Sequence, residues 1–135
     1  MNGENKMEIT IGLKGTVKET VNENNTAQKV GSGSLQVFAT PMMIALMEKA
    51  SCVAIDDYLE EGNTTVGAMV NIEHVAATPL NMEVTVNATV TAVEGRKISF
   101  MVEAFDEVGL IGKGTHDRFV VGAEKFMAKT NAKKQ

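Results

Sequence analysis

Apolar and polar positions along the chain follow two different periods, and the changes between them divide the sequence. Met7, Ile9, Ile11 and Leu13 alternate with polar or small neighbours, the two-residue period of a strand with one face on a core. This extended reading covers residues 7–21, with Gly12 and Gly15 as places for a bulge or a bend. Asn22 to Asn25 forms a turn-prone polar cluster. A short apolar piece around Val30 then leads into Gly31-Ser32-Gly33-Ser34. That run is flexible by composition and too short for a domain linker, so it reads as a mobile loop.

A helical pattern follows. Thr40 suits an N-cap and Pro41 the first helical position. From there to about Leu59 there is no internal Gly or Pro, and Gly62 supplies a stop. Met42, Met43, Ile44, Leu46, Met47, Val53 and Ile55 leave few polar positions, and a helix apolar on most sides is wrapped by other structure. After Asn63 the two-residue period returns, in strands over 64–77, 82–94, 96–106 and 109–122 that are rich in Val, Ile, Thr and Ala. Glu94-Gly95-Arg96 and Glu107-Val108-Gly109 look like the turns of a meander, and Pro79 and Asn81 mark the first break. From Glu124 the chain is Lys-rich and polar, a frayed helix or disorder.

One strand, a long helix of about 19 residues and four more strands make an α+β arrangement. Residues 1–135 read as a single domain with a tail over about 124–135, in the element order of the hotdog fold. One sheet around one helix leaves a sheet face and an edge exposed, which self-association would cover.

Composition narrows the class. The apolar share of 44% and charged share of 22% are those of a globular protein. Aromatics are only 4%, and nine Met help to fill the core. A net charge of −4 without a basic face argues against a nucleic-acid partner. The single Cys cannot form an internal disulfide, the N-terminus has no apolar signal core, and no stretch approaches the roughly 20 apolar residues of a membrane span. A cytoplasmic enzyme or binding protein is the expectation.

Two residues stand out against this pattern. At about 100° per residue, Glu48 has Ile44, Ala45, Ser51, Cys52 and Ile55 as its helix neighbours. Lys49, Asp56, Asp57 and Glu60 cluster on another arc. A carboxylate so placed either snorkels out or pairs with a donor, or it is a functional acid–base group. His74 is the second. Strict alternation puts Val66, Ala68, Val70, Ile72 and His74 on the apolar face, so His74 points inward on the side of Glu48, in its own subunit or a partner's. Such a His is a satisfied core group or, with an inward Glu, half of an acid–base or nucleophile–base pair.

Thr40 lies where helix N–H groups are free, so it is either a plain cap or part of a place for a developing negative charge. Its eight-residue separation from Glu48 is about 12 Å of helix. Gly67, in mid-strand, suggests a bulge or a close approach of ligand to backbone. Cys52 reads as an inert buried thiol. Arg118, in Gly112-Lys113-Gly114-Thr115-His116-Asp117-Arg118, could bind a phosphate or pair with Asp117 or another carboxylate. No Cys/His metal spacing, phosphate-binding Gly loop or nucleophilic Ser elbow is present.

These residues carry a family resemblance. Val37-Phe38-Ala39-Thr40-Pro41-Met42-Met43, Leu46-Met47-Glu48, Thr65-Val66-Gly67 and His74-Val75-Ala76-Ala77-Thr78-Pro79 resemble the hotdog thioesterase branch that includes fluoroacetyl-CoA thioesterase. So do Val93-Glu94-Gly95-Arg96, Gly114-Thr115-His116-Asp117-Arg118 and Glu124-Lys125-Phe126, in register from about residue 10 to 129. The resemblance implies an acyl-CoA thioesterase with Glu48 as nucleophile or general base, His74 as acid–base partner and Thr40 as orienting hydroxyl. It also implies that the Gly67 backbone N–H meets the thioester carbonyl. An obligate homodimer with sites at its interface is implied too, either alone or as a dimer of dimers, with coenzyme A as part of the substrate in a surface groove and no metal or other cofactor. Arg118 is counted with Gly67 among the substrate-binding residues. Where the fluoroacetyl-specific enzyme has aromatic lid residues, this chain has Gly31-Ser32-Gly33-Ser34-Leu35-Gln36. The expected substrate is therefore an ordinary short or medium acyl-CoA. The alternatives are a non-catalytic acyl-CoA binding or sensing protein and a hotdog hydratase, whose Asp–His pair is not found.

Overall fold

The computed structural model describes residues 8–134. Strand β1 (Lys14–Thr20) is followed by a helical turn, α1 (Ala27–Val30), and the long helix α2 (Thr40–Ile55). Then come β2 (Asn63–His74), β3 (Glu83–Glu94), β4 (Lys97–Phe105), β5 (Leu110–Gly122) and a C-terminal helix α3 (Ala123–Asn131). The strands form one antiparallel sheet in the order β1-β3-β4-β5-β2. The consecutive hairpins β3-β4-β5 make its centre, and β1 and β2 are its two edges. This curled sheet around a long helix is the hotdog architecture expected from the element order.

Alternation decides which residues meet the helix. Val84, Val86, Ala88 and Val90 of β3 and Ile98, Phe100, Val102 and Ala104 of β4 are buried. They pack on Met43, Leu46, Met47, Ala50, Ala54 and Ile55 of α2. The helix is not covered all round, however. Val53 is 50% exposed and Ala45 and Lys49 also face outward, so within one chain the apolar helix is wrapped on one side only.

Three expectations about local structure change. Met7 lies outside the described residues, and the extended segment shortens to β1. Gly12 has a φ of 99°, a left-handed conformation that breaks the strand, although Ile9 and Leu13 still pack on the core. Gly15 marks neither bulge nor bend. A Cβ there would collide with the Ala50 carbonyl oxygen and lie 2.6 Å from the Ala54 nitrogen, so glycine lets β1 cross the backbone of α2. The segment read as a mobile loop is tied down: the Thr26 side chain caps α1 and Gly31 closes it in a left-handed conformation. Gln28 N donates to the Leu35 carbonyl and Ala27 N to that of Val37. The tail from Ala123 is helical and exposed. No helix among the described residues is long and apolar enough to cross a membrane.

Candidate active site

Helix α2 carries polar groups at two levels. At its start, Ala39 is the N-cap and Thr40 the first helical residue, with no capping hydrogen bond from a side chain. The expected N-cap therefore moves back by one residue. The Thr40 hydroxyl is turned instead to the end of β2, where Oγ1 lies 2.7 Å from His74 Nδ1. The contact admits two forms of a neutral imidazole. Either Thr40 donates to Nδ1 and Nε2 carries the proton, or Nδ1–H donates to Oγ1 and Nε2 is a free base. Nε2 itself is buried without a hydrogen-bond partner, and burial pushes the His74 pKa below 6.5. Both residues line an open cleft of about 290 Å³ with Ala27, Ser32, Phe38 and Ala76. A neutral imidazole beside a hydroxyl at a helix N-terminus can relay a proton where negative charge is stabilised.

Two turns further along, Glu48 Oε2 lies 3.8 Å from Arg118 Nη1. The guanidinium is buried. Its Nε donates to Thr65 Oγ1 at 2.8 Å, its Nη2 to the Thr65 carbonyl at 3.0 Å, and its Nη1 meets His116 Nε2 at 3.2 Å. His116 Nδ1 is 2.8 Å from the Met69 carbonyl, and Phe100 stacks on the imidazole. Burial, reinforced by the Arg118 charge, pushes the His116 pKa below 6.5, against the opposing pull of the Met69 hydrogen bond, Glu48 and Asp117. A Cβ on Gly67 would lie 2.8 Å from Glu48 Oε2, 3.3 Å from Arg118 Nη1 and 3.4 Å from His116 Cε1. Glycine is thus what leaves room for the Glu48–Arg118 pair.

The strand reading of β2 needs one correction. Its register with β5 shifts between Gly67 and Met69, so Ala68 is an extra residue. Before the bulge Thr65 and Gly67 face the helix side, and Val66 and Ala68 do not; beyond it Val70, Ile72 and His74 align with the inward residues of β5. The inward placement of His74 holds, whereas that of Val66 and Ala68 does not.

Glu48 is likewise less enclosed than its neighbours suggested, with 42% of its side chain exposed. Asp56, assigned to another arc, lies within the field of Arg118. Burial pushes its pKa up, the Arg118 charge opposes that and Asp57 adds to it. Arg118 closes an ion pair with Glu48 rather than Asp117. Cys52 is half-buried. One chain gathers Thr40 with His74, and Glu48 with Gly67 and Arg118, about 12 Å apart along the helix. His116, Thr65 and the Met69 carbonyl were missed. A His two residues before an Arg on an inward strand face was the signal for the first.

Comparisons with known proteins identify the family and the fold. Residues 21–124 match the profile of the fluoroacetyl-CoA-specific thioesterase (FlK) family. A curated fluoroacetyl-CoA thioesterase from Streptantibioticus cattleyicolor is 47% identical over 98 residues, which is 73% of this chain and 70% of that protein. A solved structure of a FlK mutant in complex with acetyl-CoA superimposes with a TM-score of 0.88 at 38% identity, covering 94% of this chain and 100% of the other. A Thermus thermophilus protein described as a thioesterase superfamily member gives a TM-score of 0.87 at 30% identity, with 93% of each chain covered. This chain belongs to the fluoroacetyl-CoA-specific thioesterase family.

Proposed function

We propose that this protein hydrolyses the thioester of a short or medium acyl-CoA. The observation that carries the reading is the 2.7 Å contact of Thr40 with His74 at the N-terminus of α2, inside an open cleft. In this proposal Glu48 either takes a proton from the attacking water or attacks the carbonyl carbon itself, giving an acyl anhydride that water then cleaves to release the acid and restore Glu48. In either route the hydrolytic water supplies the proton that ends on the coenzyme A thiol, carried by His74, and Thr40 orients the imidazole. The Gly67 backbone N–H meets the thioester carbonyl, and Arg118 binds at the acyl end beside Glu48. The chemistry uses no metal or cofactor besides the coenzyme A of the substrate.

The distance between the two halves of α2 gives the proposal its quaternary part. Thr40 and Glu48 are about 12 Å apart along one helix, a separation that the substrate bridges within one chain or that closes when the Glu48 end of one chain faces the Thr40–His74 end of a second copy. Strand β2 supports the second arrangement, because it is a sheet edge of 12 residues. It carries Met69 and Val70 at 40% and 45% exposure, and a long apolar edge invites pairing. A homodimer, alone or paired into a dimer of dimers, is the proposed assembly. For substrate, the loop from Gly31 to Gln36 is exposed throughout, with Leu35 at 67%. It offers no aromatic gate, which favours ordinary acyl chains over fluoroacetyl.

The test is thiol release from a panel of acyl-CoA esters that includes fluoroacetyl-CoA. Wild type should turn over, and Glu48→Ala and His74→Ala should lose that activity with the dimer intact. Saturable binding without release by the wild type would identify a binding protein instead. Wild-type rates in both variants would remove the assigned roles.

A further inference from the structure

We infer that His116 is a positioning residue for this reaction, whose unprotonated Nε2 fixes the Arg118 guanidinium in the orientation that meets Glu48. The inference rests on the proposed reading in placing Glu48 and Arg118 at the substrate. The Met69 carbonyl can only accept, so His116 Nδ1 must carry the proton in the 2.8 Å bond between them. In a neutral imidazole Nε2 is then a bare acceptor. Arg118 Nη1 can only donate and lies 3.2 Å from it. The two contacts select one tautomer, because the other would set two donors against each other and two acceptors against each other.

The surroundings remove the alternatives. His116 is 1% exposed, and Phe100 lies against its ring with centroids 6.1 Å apart and planes 28° from parallel. The charged groups facing it are Arg118 and Asp117 of its own strand and Glu48 of α2. Thr65 holds Nε and Nη2 of Arg118, and His116 takes the third corner at Nη1. A guanidinium fixed at three corners presents its remaining Nη1 edge to Glu48 Oε2. The Met69 carbonyl at the start of this relay follows the bulge at Ala68, so the irregular strand and the orientation of the arginine belong to one device.

Two sets of experiments test this. Nitrogen-15 NMR of the wild-type imidazole at pH 7 should show His116 neutral with the proton on Nδ1. The Arg118 Nε–H should exchange slowly, and should do so faster in His116→Met but not in His116→Gln. A charged His116 or the opposite tautomer would overturn the inference whatever the protein does with thioesters. Kinetically, glutamine offers a carbonyl near the position of Nε2, whereas methionine fills similar volume with no comparable acceptor. His116→Gln should keep kcat within about threefold, and His116→Met should lower it about 10- to 100-fold and raise KM as Arg118 turns away from the acyl end, as for a buried charged donor that loses one of its acceptors. Arg118→Met alone should match the double variant Arg118→Met/His116→Met. Equal rates for the two His116 variants, or additive losses in the double variant, would show that His116 does not act through Arg118. If wild type hydrolyses no acyl-CoA, the functional reading fails while the NMR result still decides this one. The same holds if His116→Met does not fold, because the tautomer is read on wild type.

Discussion

Replacing Gly67 by alanine adds one methyl group at the point where β2, β5 and α2 converge, and the surroundings decide what gives way. The new Cβ would sit 2.8 Å from Glu48 Oε2, 3.3 Å from Arg118 Nη1 and 3.4 Å from His116 Cε1. Arg118 is held by Thr65 and His116, and His116 by Met69, so neither yields easily. Glu48 is 42% exposed and hinges on a flexible side chain, so it moves. Restoring ordinary van der Waals separation takes a retreat of about 0.6 Å or more, away from Arg118. Misplacements of about 1 Å cost reacting groups up to about 100-fold, so kcat should fall about 10- to 100-fold. Stability should change little. A strand-interior glycine is worth about 0.5–1 kcal/mol less than alanine, which offsets the strain of moving one exposed carboxylate. The assays are thiol release from the best acyl-CoA substrate and thermal melting, run in parallel. Wild-type kcat in Gly67→Ala, with an unshifted melting temperature, would show that the Glu48–Arg118 geometry is irrelevant to turnover.

Other perturbations separate stability from chemistry. Gly15→Ala should destabilise by about 3 kcal/mol or more in urea titrations, because its Cβ meets α2 backbone that cannot swing aside. Thr78→Val should cost about 1 kcal/mol in the same titration by removing the 2.8 Å hydroxyl donor to Asp106 Oδ2 from a fully buried position. The two histidines set a pH dependence. Both have folded-state pKa values below 6.5, so below that pH the unfolded chain binds more protons and stability falls, levelling off beneath the folded pKa values. Melting temperatures between pH 7.5 and 5 should show this slope, and His116→Gln should flatten it. A slope unchanged in that variant would mean that His116 does not contribute.

Much of the architecture was legible because it rests on period alone. The strands after Asn63 and the helix after Thr40 are long, regular and bounded by turn residues, so local propensity and burial agree. The failures lie where tertiary contact overrides local pattern. Thr40 has the composition of a cap, yet its hydroxyl is drawn to His74 because that residue ends a strand beside the helix start. The Gly/Ser run looks free, yet the Thr26 cap and the Val37 backbone pair fix its base. Glu48 stands out in the sequence, but its partner could not be read from helix spacing. Arg118 lies 70 positions away, on a strand that reaches Glu48 only through the sheet order.

The bulge at Ala68 explains why one strand can serve both levels of α2. Gly67 and His74 are seven positions apart, an odd number, and in a regular strand they would face opposite sides. Strict alternation therefore forces a choice: with His74 inward Gly67 points out, and with Gly67 inward His74 is lost to the far face. One inserted residue makes the count even in terms of cross-strand partners, so Gly67 aligns with Arg118 and His74 with Gly112. The bulge thus brings glycine under Glu48 and histidine to Thr40 at the same time. It also precedes the Met69 carbonyl that orders His116. A bulge re-aims side chains at the cost of one ladder pair, and here the residues re-aimed are those on which the proposed chemistry depends.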